Sequence, residues 1–173
     1  HLFCSTVHEF LERTLAETSD QTLAMSQVKL MLLIAHPGQT LKVTDVADFL
    51  GVTNAAASRA IDRLVQRDLV DRSISPEDRR AVVLSLTPLG TELLDGFTEA
   101  RNRELLRILD DVPEELLTKV AELLDELSVH FLELEEEGEE RCLRCGIHFR
   151  KGCVVKDVLG RECAVAGGLY GDA

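Results

Sequence analysis

A chain of 173 residues with 45% hydrophobic side chains can bury one sizeable core, or one core plus a small appendage. No stretch approaches the roughly eighteen consecutive apolar residues of a membrane-crossing helix, so a soluble, cytoplasmic chain without a membrane partner is expected. Tryptophan is absent, aromatics make up 4% and the net charge is −12, a composition that favours helical packing and argues against uniform nucleic-acid adhesion.

In chain order, apolar spacing predicts a helix from about Leu2 to Thr18 and a second carrying Val28 to Ala35. His36, ahead of Pro37-Gly38, marks the end of the second, where the helix dipole favours a positive group. Val43, Val46, Ala47 and Leu50 then fall at helical spacing, and Gly51 follows where a left-handed cap is wanted. Thr53 and Asn54 offer N-cap oxygens to the next helix, whose inward face is Ala57, Ala60, Ile61 and Leu64 at i, i+3, i+4 and i+7. Its outward face carries Arg59, Arg63 and Gln66, and the small residues Ala55 to Ala57 keep its start slim enough for a major groove about 12 Å wide.

After Asp68 the pattern changes to short β-prone runs, Leu69-Val70 and Ala81 to Leu86, around a charged tip from Ser75 to Arg80. A two-stranded wing fits, with Arg79 and Arg80 placed to enter a minor groove and Asp78 to orient one of them. Thr87-Pro88 opens a helix to about Leu109, with Leu93, Phe97, Ala100 and Ile108 among its apolar positions. Pro113-Glu114-Glu115 opens the last long helix, striped by Leu116, Val120, Leu123, Leu127, Phe131 and Leu134. The distal helices and the N-terminal one can form either a subunit interface or an intramolecular bundle.

Charge divides unevenly. From Leu41 to Thr87 seven basic side chains balance seven acidic ones, whereas Arg101 to Glu140 carries four basic against fourteen acidic. A neutral helix-turn-helix with clustered arginines can bind phosphates selectively and with strong salt dependence, while the acidic half resists non-specific contact.

The recognition-helix pattern SRAIDRLVQRDLV, the wing pattern PEDRRAVVLSLT and the following TPLG resemble the MarR family of bacterial regulators, over roughly residues 1 to 137. The resemblance implies an obligate homodimer whose recognition helices each read half of a pseudo-palindromic operator in double-stranded DNA while the wings grip flanking minor grooves. It makes Thr53, Asn54, Ser58, Arg59, Arg63, Arg79 and Arg80 the DNA-contacting set. Two departures from the family pattern concern loop geometry: Asp68 stands where glycine is frequent, and Ser75 where an aspartate often precedes the wing proline. The expected fold is mainly α with a small β wing, as a dimer. Its organisation is an N-terminal dimerisation helix (1–24), a winged helix-turn-helix (25–87), C-terminal dimerisation helices (88–137) and a cysteine-rich tail (138–173).

An acidic hinge, residues 135–140, leads into that tail, which holds four of the five cysteines as C-x2-C-x7-C-x9-C: Cys142, Cys145, Cys153 and Cys163. So short a tail cannot build a core, and glycines 146, 152 and 160 leave it loop-like, so a metal centre is expected to organise it. Zinc sites usually bring two close cysteine pairs, whereas only Cys142 and Cys145 are close; an iron–sulfur cluster accepts one close pair plus dispersed ligands. CLRCGIHFRKGC resembles the cluster segment of a subgroup of FNR-type oxygen regulators, which implies a [4Fe-4S] cluster. Zinc, with His148 as a substitute fourth ligand, and disulfides are the competing accounts. Cys4 reads as a packed thiol on a helix, and His8 and His130 as structural residues on interface helices that could respond to pH across a dimer.

The expected mechanism is a homodimeric repressor whose cluster sits against the dimerising helices, so that its loss or oxidation alters the angle between the DNA-binding lobes. A first alternative keeps the DNA-binding domain, makes zinc structural and places an aromatic-acid effector between the N-terminal and distal helices. A second is an enzyme or electron carrier, against which stands the lack of a phosphate loop, a nucleophile paired with a base, or paired catalytic carboxylates.

Overall fold

Helix α2 (Met25–Ile34) is apolar almost all round, and a helix of that kind must lie in the middle of its domain. In the computed structural model it does. Val28, Leu30, Met31 and Leu33 have no exposed surface, and the helix packs against α1 (Leu2–Thr18), α3 (Val43–Leu50) and the second strand of the wing. Each such side chain contributes about 1.5–3 kcal/mol by leaving water. The structure describes residues 1–18, 23–35, 41–74, 82–133, 141–142, 154–160 and 162–163. It divides into two compact units, His1–Glu104 and Leu105–Ala173.

In the first unit α3 leads into α4 (Asn54–Gln66), then strands β1 (Val70–Ile74) and β2 (Val82–Leu86) form an antiparallel pair in the register Val70↔Leu86, Arg72↔Leu84 and Ile74↔Val82. Helix α5 (Pro88–Leu109) follows. Four helical spans anticipated from spacing agree with α1, α3, α4 and α5. The wing strand β1 runs four residues further than its apolar start suggested. A strand paired on one side only tolerates Asp71, Arg72 and Ser73, all exposed, because its backbone bonds come from β2 whatever the side chains. Along α5, Phe97 and Ala100 are buried as expected, Leu94 is buried although the apolar pattern had singled out Leu93, and Ile108 is exposed.

Both ends of the helix-turn-helix close in the same way. Gly51 adopts φ 64° after α3, its N–H donating to the Asp48 carbonyl while the Val52 N–H reaches the Ala47 carbonyl. After α4, Asp68 adopts φ 56°, with Asp68 N–H to Val65 and Leu69 N–H to Leu64, both at 3.0 Å. This pair of bonds is the six-to-one and five-to-two closure that needs a left-handed residue. Asp68 therefore does the work of the glycine that often stands there in the family it resembles, and aspartate is among the few residues that tolerate this region. We expect Asp68→Val to cost about 1–2 kcal/mol and Asp68→Gly to cost nothing, read from urea midpoints.

Arg101 on α5 is buried to 4% exposure. Its Nε and Nη2 donate to Asn102 Oδ1 at 3.3 and 3.1 Å, its guanidinium lies 5.8 Å from the Phe97 ring centroid, and Nη1 has no partner among the described residues. Burial lowers its pKa below the usual arginine value.

The second unit holds α6 (Glu114–Glu133), strand β3 (Arg141–Cys142), helix α7 (Val154–Leu159) and strand β4 (Glu162–Cys163). Helix α7 packs on α6, with Val155 and Leu132 buried together and Val154 and Leu159 at the margin. Strands β3 and β4 pair in parallel, Arg141↔Glu162 and Cys142↔Cys163. No helix among the described residues is long and apolar enough to cross a membrane.

Candidate nucleic-acid interface

Helix α4 owes its position to its own inward face. Ala57, Ala60, Ile61 and Leu64 are all buried, as their spacing required, and this turns the opposite face outward. Arg59, Arg63 and Gln66 lie exposed on that face. At the start of the helix the Thr53 hydroxyl accepts the Ala56 N–H at 3.3 Å, so Thr53 is the N-cap, while Asn54 is the first helical residue and both are exposed. Of the two caps anticipated, only Thr53 fills that role; Asn54 is left outward. Ser58 is half-buried, one turn from the cap. The positive end of the helix dipole and its free backbone N–H groups thus lie beside exposed polar side chains, a setting suited to a phosphate.

The wing is tied to this helix in a way that spacing did not disclose. Arg72 Nη1 on β1 lies 3.5 Å from Asp62 Oδ1 on α4, an ion pair between half-exposed groups that sets direction more than stability. The signal lay in the sequence only as an aspartate on the flank of one helix and an arginine two residues into the next strand. Arg79 and Arg80, like Asp78 and Ser75, lie outside the described residues.

A second joint holds the wing to α5. The Thr87 hydroxyl donates to the Asp68 carbonyl at 2.6 Å and accepts the Gly90 N–H at 2.9 Å, and the Thr87 N–H donates to the Leu69 carbonyl at 3.2 Å. Thr87 is buried, and Pro88 occupies the first helical turn, where its missing N–H costs nothing.

Of the residues assigned to a metal centre, Cys142 and Cys163 are described by their backbones and stand opposite one another in the parallel ladder. Cys145, Cys153 and His148 lie outside the described residues, as do His36 and Leu134. Among the described residues no group of three possible ligands comes together. Cys4 is exposed on α1 rather than packed; the buried residues of that helix are Phe10, Thr14 and Leu15. His8 and His130 are exposed, each near a glutamate on its own helix: Glu12 at 4.0 Å and Glu133 at 3.6 Å.

The comparisons agree with this geometry. The model of the MarR family matches residues 23–82, which run from two residues ahead of α2 to the first residue of β2. An uncharacterized HTH-type transcriptional regulator of Bacillus subtilis (strain 168), YfiV, is 36% identical over 106 residues, which make up 61% of this chain and 66% of that protein. Among solved structures, the MarR family transcription regulator SP03579 superposes with a TM-score of 0.67 at 16% identity, covering 79% of this chain and 87% of that one. RV1404 from Mycobacterium tuberculosis does so with 0.63 at 22%, covering 78% and 89%. Proteins of the MarR family are DNA-binding transcription regulators that act as dimers, and not enzymes. Residues 23–82 match the MarR family as a winged helix-turn-helix, and over 61% of its length the chain is similar to an HTH-type transcriptional regulator.

Proposed function

We propose that the chain is a cytoplasmic homodimeric repressor that binds a pseudo-palindromic operator in double-stranded DNA and senses redox state, oxygen or iron–sulfur status through a cysteine-ligated centre in its tail. The observation that carries the DNA reading is the division of α4: one face fully sealed into the domain, the other presenting Arg59, Arg63 and Gln66 with the Thr53 cap at its head. Arginine in that position can donate two hydrogen bonds to a guanine edge, and exposed residues at the helix start can reach phosphates.

Self-association is supported by the last long helix. Leu116, Val120, Leu123, Leu127 and Phe131 share one face of α6 and are all exposed in the single chain, Phe131 to 70%. Contiguous apolar surface of this kind marks a protein interface. The arrangement expected of the operator follows: two half-sites about one helical turn apart.

Selection of binding fragments from genomic DNA, followed by footprinting, tests the reading. Two protected half-sites with dyad symmetry are expected, with affinity falling steeply as salt rises. A footprint without dyad symmetry, or no sequence preference at all, would sink it.

The sensing reading is supported by the register of Cys142 beside Cys163, two of the four cysteines in a segment too small to hold itself together by burial. Purification without oxygen, with iron, acid-labile sulfide and zinc measured per chain, decides the centre. Stoichiometric iron and sulfide with a colour that bleaches in air is expected for a [4Fe-4S] cluster. One zinc and no colour would make the tail a structural clip and move the signal elsewhere.

A further inference from the structure

Helix α4 opens on three consecutive alanines that are not equivalent. Ala55 is exposed, Ala56 is half-buried and Ala57 is sealed into the domain. Only the first offers its methyl group freely to the outside. Arg59 stands four residues further on and is also exposed, so the two share one face about 6 Å apart along the axis. Side chains on a helix lean toward its N-terminus, a direction that brings Arg59 toward the turn holding Ala55.

The arginine is left free to act. The acid best placed to capture it is Asp62, three residues on, yet the Asp62 carboxylate is engaged by Arg72 Nη1 of β1 at 3.5 Å. Among the described residues no acceptor is paired with Arg59. The Thr53 hydroxyl is turned back onto the Ala56 N–H at 3.3 Å. The first turns of α4 thus present one apolar group beside one free guanidinium. In the major groove a guanine edge shows two acceptors that suit arginine, and thymine shows a methyl group that suits a small apolar side chain. Ala55 has no hydrogen-bonding side chain, so the thymine methyl is the base-edge group it selects.

We infer that Ala55 is a specificity-determining residue: its methyl group packs on the methyl of a thymine that lies within two base pairs of the guanine read by Arg59. This rests on the reading of α4 as the helix that enters the major groove. The spacing follows from the helix, since about 6 Å along α4 matches about two base-pair steps of 3.4 Å. In a dyad-symmetric operator the thymine and guanine appear once in each half-site, in opposite orientation.

The test uses the full chain and duplexes that it selects from a randomised library. In the tightest of these, each thymine is replaced in turn by deoxyuridine, which removes the methyl group and nothing else. One thymine per half-site is expected to matter, its change weakening binding about fourfold, and about fifteenfold when both half-sites are changed. Ala55→Gly is expected to bind the thymine and uracil duplexes equally, within about a factor of two. Ala56→Gly, which gives up the same helix propensity but keeps the Ala55 methyl, is expected to retain the discrimination. Each ratio is taken on a single variant, so a change in folding stability cancels from it. Arg59→Ala identifies its guanine as the position where base preference is lost. A scan with no sensitive thymine would remove Ala55 as a reader while leaving DNA recognition by α4 standing. So would a thymine that Ala55→Gly discriminates as strongly as the native chain, or one more than two base pairs from the Arg59 guanine. Failure of the native chain to enrich any duplex would overturn the DNA reading itself, and this inference with it.

Discussion

Replacing Arg59 and Arg63 together with alanine is expected to weaken operator binding a hundredfold or more, with the thermal midpoint of the protein unchanged. Each good arginine contact to a base edge is worth about 1–3 kcal/mol, and one such loss in each of two half-sites already reaches about a hundredfold. Neither side chain takes part in the sealed face of α4, so the fold has no reason to weaken. Titration of a labelled operator at several salt concentrations separates the two possible kinds of contact. Loss of phosphate contacts flattens the salt dependence by about 0.9 in logarithmic slope for each contact removed, whereas loss of base contacts lowers affinity and selectivity at the same slope. Affinity within threefold of the native protein would mean that this face of α4 does not read DNA.

The second large effect is expected at Gly90. Its backbone lies against the chain that leaves the recognition helix, and a methyl group built there would collide with the Leu69 carbonyl oxygen. That carbonyl is not free to retreat, because it accepts the Thr87 N–H, and the Thr87 hydroxyl holds the neighbouring Asp68 carbonyl. Gly90→Ala should therefore cost about 3 kcal/mol or more, near the upper end for an overpacked site. For a chain of this size that corresponds to a fall in midpoint of about 10 °C. Gly96→Ala is the matched control, since it meets open space and replaces glycine in the same helix. It should stabilise by about 0.5–1 kcal/mol. Calorimetry on the two variants compares them directly, and equal midpoints would refute the account of Gly90.

The recognition helix was legible because four inward residues over eight positions leave only one way to turn the helix, and that same constraint brings Arg59 and Arg63 outward. Gly51 was legible for a different reason, as the residue type that a left-handed cap prefers. Asp68 was not, since its role depends on backbone closure that any of several polar residues could satisfy. The polar half of β1 carried no pattern because pairing, not burial, makes it a strand. In the tail the cysteine spacing indicated chemistry but not architecture. A six-residue helix spans less than two turns, and a two-residue strand has no periodicity to read. Helix α7 is seated by Leu132 and Val155 meeting, a contact between residues far apart in sequence.

The three hydrogen bonds around Thr87 have a mechanical side. A recognition helix of 13 residues is about 20 Å long, and its C-terminal end is bolted to the start of α5 through carbonyls on two successive residues. Two adjacent fixings remove rotational play in a way that one cannot. A tilt of α5 by about 10° would then displace the far end of α4 by about 3 Å, one base-pair step along the groove. Within the DNA-binding unit, small changes in helix angle are thus passed to the reading surface at full amplitude instead of being absorbed in a slack loop.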